Sequence, residues 1–200
     1  GGLVAALAIE EEYKQFDGAI ALCGTYGNYT RQTDYLGDFR VLFDVYFPGV
    51  LPPTSVDIAQ QLLDTWDDTY YPETVEPVIA APENSTRVAE LFDVAAVAYD
   101  ATDRESWTDT IRQLLRYNVH ATEDAKAKLG GQPFDNQNRV YTGSSDDDTL
   151  NQEAARFSAD TAARAAIAAN FETSGSIQRP LVTMHPVNDP LVPYWQASQY

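Results

Sequence analysis

"RPLVTMHPVNDPLVP", residues 179–193, is the stretch whose reading decides the fold. Leu181, Val182 and Met184 form a short run of strand character, and the chain then meets Asn188, Asp189 and Pro190. Asn and Asp bond their own backbone in turns, and proline pre-sets φ for one. An acid at the mouth of an apolar strand therefore has two readings. Asp189 is a turn residue, or it is a catalytic acid that orients a histidine. The rest of the chain has to decide between them.

A second apolar run, "DGAIALCG" at 17–24, is bounded by glycines and predicts a buried strand. Within it Cys23 reads as a small buried hydrophobe rather than a nucleophile. Before it, "GGLVAALAIEEEYKQF" (1–16) has helical spacing through Leu3, Leu7 and either Ala6 or Glu10, and its leading glycines suit close packing. Helix, short link and buried strand is the rhythm of a parallel α/β sheet.

Between the two runs the pattern is helical. "GDFRVLFDVYFPG" (37–49) predicts a helix stopped by Pro48-Gly49. "TSVDIAQQLLDTWDDTYY" (54–71) predicts one with Ser55 as N-cap and Ile58, Leu62, Trp66 and Tyr70 on one face. Pro72 is placed to start the next. "NSTRVAELFDVAAVAY" (84–99) repeats the apolar spacing through Val88, Leu91, Phe92, Ala95 and Tyr99. In "TDRESWTDTIRQLLRYN" (102–118), Thr102 and Glu105 have capping-box spacing, and Trp107, Ile111, Leu114 and Leu115 form the stripe. "TEDAKAKLGG" (122–131) predicts a separate short helix stopped at Gly130. "QPFDNQNRVYTGSS" (132–145) is a polar structural loop, followed by helices over 146–157 and 160–171. Stripes carrying Trp66, Phe92, Trp107 and Leu115 read as core rather than as a ligand box. "YWQASQY" (194–200) reads as the start of a last helix.

Composition bounds the function. Of 200 residues, 44% are hydrophobic, enough for a core, and the net charge of −17 argues against nucleic acid and anionic membrane surfaces as partners. No run is long and apolar enough for a membrane span. The acidic surface, with Lys14, Lys126 and Lys128 as the only lysines, suits a secreted or extracytoplasmic protein. A single cysteine excludes an intrachain disulfide and a thiolate metal cage. The run Asp146-Asp147-Asp148 lacks the alternating spacing of a Ca²⁺ loop and reads as acids at a helix N-terminus. His120, taken to follow a helix, and His185 read as structural or pocket-lining. Ser144, Ser145, Ser174 and Ser176 lie in turn-like stretches without a histidine partner nearby in sequence.

Three stretches together resemble the α/β-hydrolase family, in its members with a large helical cap. "GGLVAALAIEEEY" resembles the helix behind the Gly-x-Ser-x-Gly nucleophile elbow, with Gly1 as the elbow's last glycine. "FDGAIALCG" (16–24) resembles the next sheet strand, and "PLVTMHPVNDPLVP" the following strand and the loop of the triad acid. The phrases "VLFDVYFPGVLP" (41–52) and "GQPFDNQNRVYTG" (131–143) look like bacterial capped hydrolases. The resemblance implies an α/β fold with an incomplete hydrolase core at 1–25 and 179–200, a short parallel two-stranded sheet, and a helical cap at 26–178. It implies a Ser-His-Asp mechanism on an apolar or uncharged ester or amide, with no metal and no organic cofactor.

Asp189 alone occupies a family catalytic position. The serine is expected two residues ahead of Gly1 and the histidine beyond Tyr200, so the chain as given is expected to be inactive alone, with exposed apolar surface or self-association. Two rival readings stand beside this one. The chain is a non-catalytic helical binding or scaffolding module, or its strands belong to another α/β fold and Asp189 only makes a turn.

Overall fold

The two apolar runs meet in space. In a computed structural model describing residues 1–200, Ala19–Leu22 (β1) and Leu181–Met184 (β2) form a two-stranded parallel sheet. Ala19 stands opposite Leu181, and Leu22 opposite Met184. Parallel strands need a long crossover, and the helical stretch between them supplies it. The chain is therefore mostly helical with a minimal parallel sheet, a mixed α/β architecture.

Helix α1 (Gly2–Glu11) lies on one face of the sheet. It buries Gly2, Ala6 and Ile9 rather than the Leu3–Leu7 line expected from spacing. The reason is proximity: a Cβ at Gly2 would fall 2.7 Å from the Cα of Gly24. Ala6, Ala21 and Tyr26 make the small core there.

The opposite face is bare. Alternation puts Ile20 and Leu22 beside their register partners Val182 and Met184, and all four are 50–65% exposed. Ala21 is the one buried strand residue, so the expectation of buried strands fails for most of the sheet, because a single helix covers one face of β1. Cys23 corrects the reading of a buried hydrophobe. It is exposed, with φ +47°, where the chain leaves the sheet edge.

The main core lies in the helical region: 27 buried side chains form one cluster, including Trp66, Phe92, Trp107 and Leu115. Helix α2 (Tyr29–Tyr46) begins well before the Gly37 expected from sequence. Its N-terminal amides are all satisfied. Glu172 accepts from Tyr29 and Thr30 (3.1 and 2.8 Å), and the Asn28 cap accepts from Arg31. α3 (Gln60–Thr65) runs through a π-helical stretch, Trp66–Val75, into α4 (Glu76–Ile79).

Two expectations fail in this segment. Pro72 lies inside the π stretch and starts no helix. Ser55 caps nothing: it is buried, and its hydroxyl donates to Asp44 at 3.0 Å. α5 (Ser85–Val94) buries Val88, Leu91 and Phe92 as its spacing predicts.

α6 (Glu105–Leu129) is one helix of 25 residues, not two. Nothing in "YNVHATED" breaks it, so His120 sits inside the helix, 3.6 Å from Asp67, rather than at its end. Thr102 makes no capping box, because its amide and hydroxyl both donate to Asp100. Gly130 closes the helix at φ +74°, as expected. α7 (Asp147–Glu153) is capped by Asp146, which accepts from the Thr149 amide. α8 (Thr161–Asn170) and α9 (Trp195–Gln199) complete the chain. No helix is long and apolar enough to cross a membrane.

Candidate functional site

The loop after β2 is held from all sides. Pro190, Leu191 and Val192 offer three successive carbonyls, and each has a side-chain donor. Tyr35 Oη donates to Pro190 O at 2.5 Å, Gln32 Nε2 to Leu191 O at 2.7 Å, and His185 Nε2 lies 2.5 Å from Val192 O. A carbonyl can only accept, so His185 carries its proton on Nε2. That ring is almost wholly buried, with Nδ1 facing the Tyr26 hydroxyl at 3.5 Å. His185 is thus a strut of the loop, in agreement with its structural reading.

Asp189 divides its two oxygens between two environments. Oδ1 accepts the amides of Leu191 (3.0 Å) and Val192 (2.9 Å), which is the turn chemistry anticipated from sequence. Oδ2 makes no hydrogen bond. It lies 3.7 Å from His185 Nε2, whose proton is directed to Val192, and the side chain is 16% exposed. One oxygen fixes the carboxylate and the other stays available as an acceptor. Burial, and after it the negative charge of Asp189, holds the Tyr35 phenol far above its ordinary pKa, so Tyr35 stays a donor.

The loop is tied in turn to the start of α2. Gln196 of α9 is fully buried. Its Oε1 accepts from Gly27 N (2.7 Å) and Asn28 N (2.8 Å), while Nε2 donates to Asn28 O (2.9 Å) and Gln32 Oε1 (3.2 Å). Gln32 passes the contact on to Leu191. These residues carried no signal in the sequence, because their partners lie more than 150 positions away.

A cavity of about 320 Å³ opens beside this loop, with Leu191 and Val192 in its wall. Its long sides are α2, through Tyr29, Gln32, Thr33, Leu36 and Gly37, and α6, through Tyr117 to Ala125. Phe134 closes one end against Gly37, where a Cβ would fall 2.6 Å from the ring carbon Cε2. No lining residue is charged.

The Phe134 segment is anchored by a partly buried ionic network. Arg139 reaches Asp34 (3.3 Å) and Asp38 (3.0 Å), Arg164 reaches Asp34 (2.5 Å), and Tyr141 donates to Asp38 (2.7 Å). Burial pushes the Asp38 carboxyl up to about 6, against the pull of the Tyr141 hydrogen bond and Arg139. Burial also raises Asp34, over the opposing Asp135 amide and its two arginines.

Three of the four serines set aside in the sequence are engaged elsewhere. Ser144 bonds Asp147, Ser145 bonds Glu90, and Ser174 bonds Glu10. Comparison with protein-family models, with curated proteins and with solved structures finds no match for the chain.

Proposed function

We propose that the chain is part of a capped α/β-hydrolase, with Asp189 as the acid of a Ser-His-Asp triad. In this reading residues 1–25 and 179–200 belong to the catalytic core and 26–178 form the cap. The observation that carries it is the state of Asp189. It follows the second of two parallel strands, its Oδ1 is spent on its own loop, and its Oδ2 is unbonded. A pure turn residue needs only the first oxygen.

The chemistry follows from that geometry. Oδ2 accepts the N–H of a catalytic imidazole and fixes its tautomer. The other imidazole nitrogen takes the proton of a serine hydroxyl as its oxygen attacks an ester or amide carbonyl. The imidazolium so formed is stabilised by the carboxylate and returns its proton to the leaving group. Water then repeats the sequence on the acyl-enzyme and releases the acid. The serine belongs to a Gly-x-Ser-x-Gly elbow whose last glycine is Gly1. The uncharged cavity beside the loop suits an uncharged acyl or leaving group.

The test is Asp189→Asn in the protein carrying serine and histidine. Asn keeps an oxygen for the two loop amides, so the thermal midpoint is expected to move little. Turnover is expected to fall about 10⁴-fold, the loss seen when a triad acid becomes an amide. Near-normal turnover would reduce Asp189 to a turn residue. The self-contained helical core favours one rival, a binding module without catalysis, and that rival forecasts no hydrolysis by either form.

A further inference from the structure

We infer that the groove between α2 and α6 is a binding site for a small uncharged molecule, with an aliphatic body and one hydrogen-bonding head, seated head-first toward Thr25 and Tyr29. The inference deepens the hydrolase reading, on which its meaning as a substrate pocket rests. Binding itself requires neither Asp189 nor a serine.

Charge comes first. A charged ligand would give up its hydration in a cavity with no charged wall, at a cost no group there offsets. Arg40, the buried cation bonded to the wall through Asn118, is already engaged by Asp44, Asn118 and Pro52 O. The net charge of −17 adds a general repulsion of anions.

Polarity then sets the orientation. Most polar groups of the wall are committed within the protein: Gln32 to Leu191 and Gln196, Asn118 to Arg40 and Ser55, Ser55 to Asp44, and Gln132 to Phe134. Three hydroxyls are not: Tyr117 on α6, a half-exposed side chain, and the pair near the α2 N-terminus, Thr25 four residues ahead of the helix and Tyr29 its first residue. Eight residues further along the helix, Leu36, Gly37 and Phe134 make an apolar end. At the helical rise this separates the two ends by about 12 Å. The volume, about 320 Å³, is at the small end of ligand pockets.

The experiment titrates hexanamide, hexanoate and hexylammonium into the ¹⁵N-labelled chain at neutral pH, following amide shifts of α2 and α6. Hexanamide is expected to bind saturably, and both ions at least tenfold more weakly. Ala125→Phe, which fills the groove, should abolish binding. Thr25→Val, nearly isosteric, should weaken it roughly fivefold through one lost hydrogen bond. Binding is read here without any turnover, which separates this inference from the catalytic one. Absence of saturable hexanamide binding, equal affinity for either ion, or full affinity in a folded Ala125→Phe or in Thr25→Val would overturn the inference.

Discussion

Gln196→Ala removes the side chain that ties the acid-bearing loop and α9 to the head of α2. Four hydrogen bonds go at once: two accepted from Gly27 and Asn28, and two donated to Asn28 O and Gln32 Oε1. The side chain is fully buried, so the partners are left short of an alternative. A buried polar group without a partner costs roughly 1–3 kcal/mol. The vacated space admits some water, and the two orphaned amides set the scale, so a loss of about 2–4 kcal/mol is expected. With a urea dependence of about 2 kcal/mol per molar, the unfolding midpoint should drop by about 1–2 M. Native-state hydrogen exchange should accelerate at Gly27 and Asn28 in particular. Gln196→Glu separates the two halves, since it keeps the acceptor for both amides and loses both donations. Its second oxygen would face Asn28 O and Gln32 Oε1 in a fully buried site, so it should destabilise at least as much as Gln196→Ala. A loss below about 0.5 kcal/mol, with unchanged exchange at Gly27 and Asn28, would refute the network's role.

Gly37→Ala should destabilise by about 1–3 kcal/mol despite alanine's higher helix propensity, because the new methyl meets the Phe134 ring; equilibrium unfolding checks it, and a stabilised variant would contradict the packing. Asp38 has its pKa raised to about 6, so it holds a proton in the folded state where the unfolded chain has lost it. Its contribution is present below the unfolded carboxylate value and is lost as pH rises through about 6. Thermal midpoints measured from pH 4.5 to 7.5 should therefore show a smaller decline in Asp38→Asn than in wild type, and parallel curves would refute the assignment. The bare sheet face gives the last of these. Val182→Lys with Met184→Lys should leave the unfolding midpoint near wild type, since both residues are exposed, and should reduce self-association in sedimentation velocity; unchanged association would exclude that face.

The sequence was legible where the physics is local. A glycine-bounded apolar run and a proline-bounded one located the strands, the family resemblance implied their parallel pairing, and the long helical interval supplies the crossover that pairing needs. Amphipathic spacing located the stripes of Phe92, Trp107 and Leu115, all buried. Capping rules worked at Asp146 and Gly130 but failed at Ser55 and Thr102. Those hydroxyls found stronger local or tertiary acceptors in Asp44 and Asp100. Pro72 misled because a π-helical stretch accommodates it within a continuing helix. Cys23 misled because the chain turns away at φ +47° just past Leu22, the last strand residue. At the site, Asp189 was legible as a turn former and as an acid. The clamp from Tyr35, Gln32 and His185 was not, since each donor meets a carbonyl that any residue would carry.

The central claim, that Asp189 completes a Ser-His-Asp device, is tested most directly by fluorophosphonate labelling of the protein with its flanking sequence, followed by peptide mass mapping. The account predicts one stoichiometric adduct, on a serine two residues ahead of Gly1, in a peptide that continues into "GGLVAALAIEEEY". Labelling above a denatured control at any serine within residues 1–200, or no serine two places before Gly1, would contradict it.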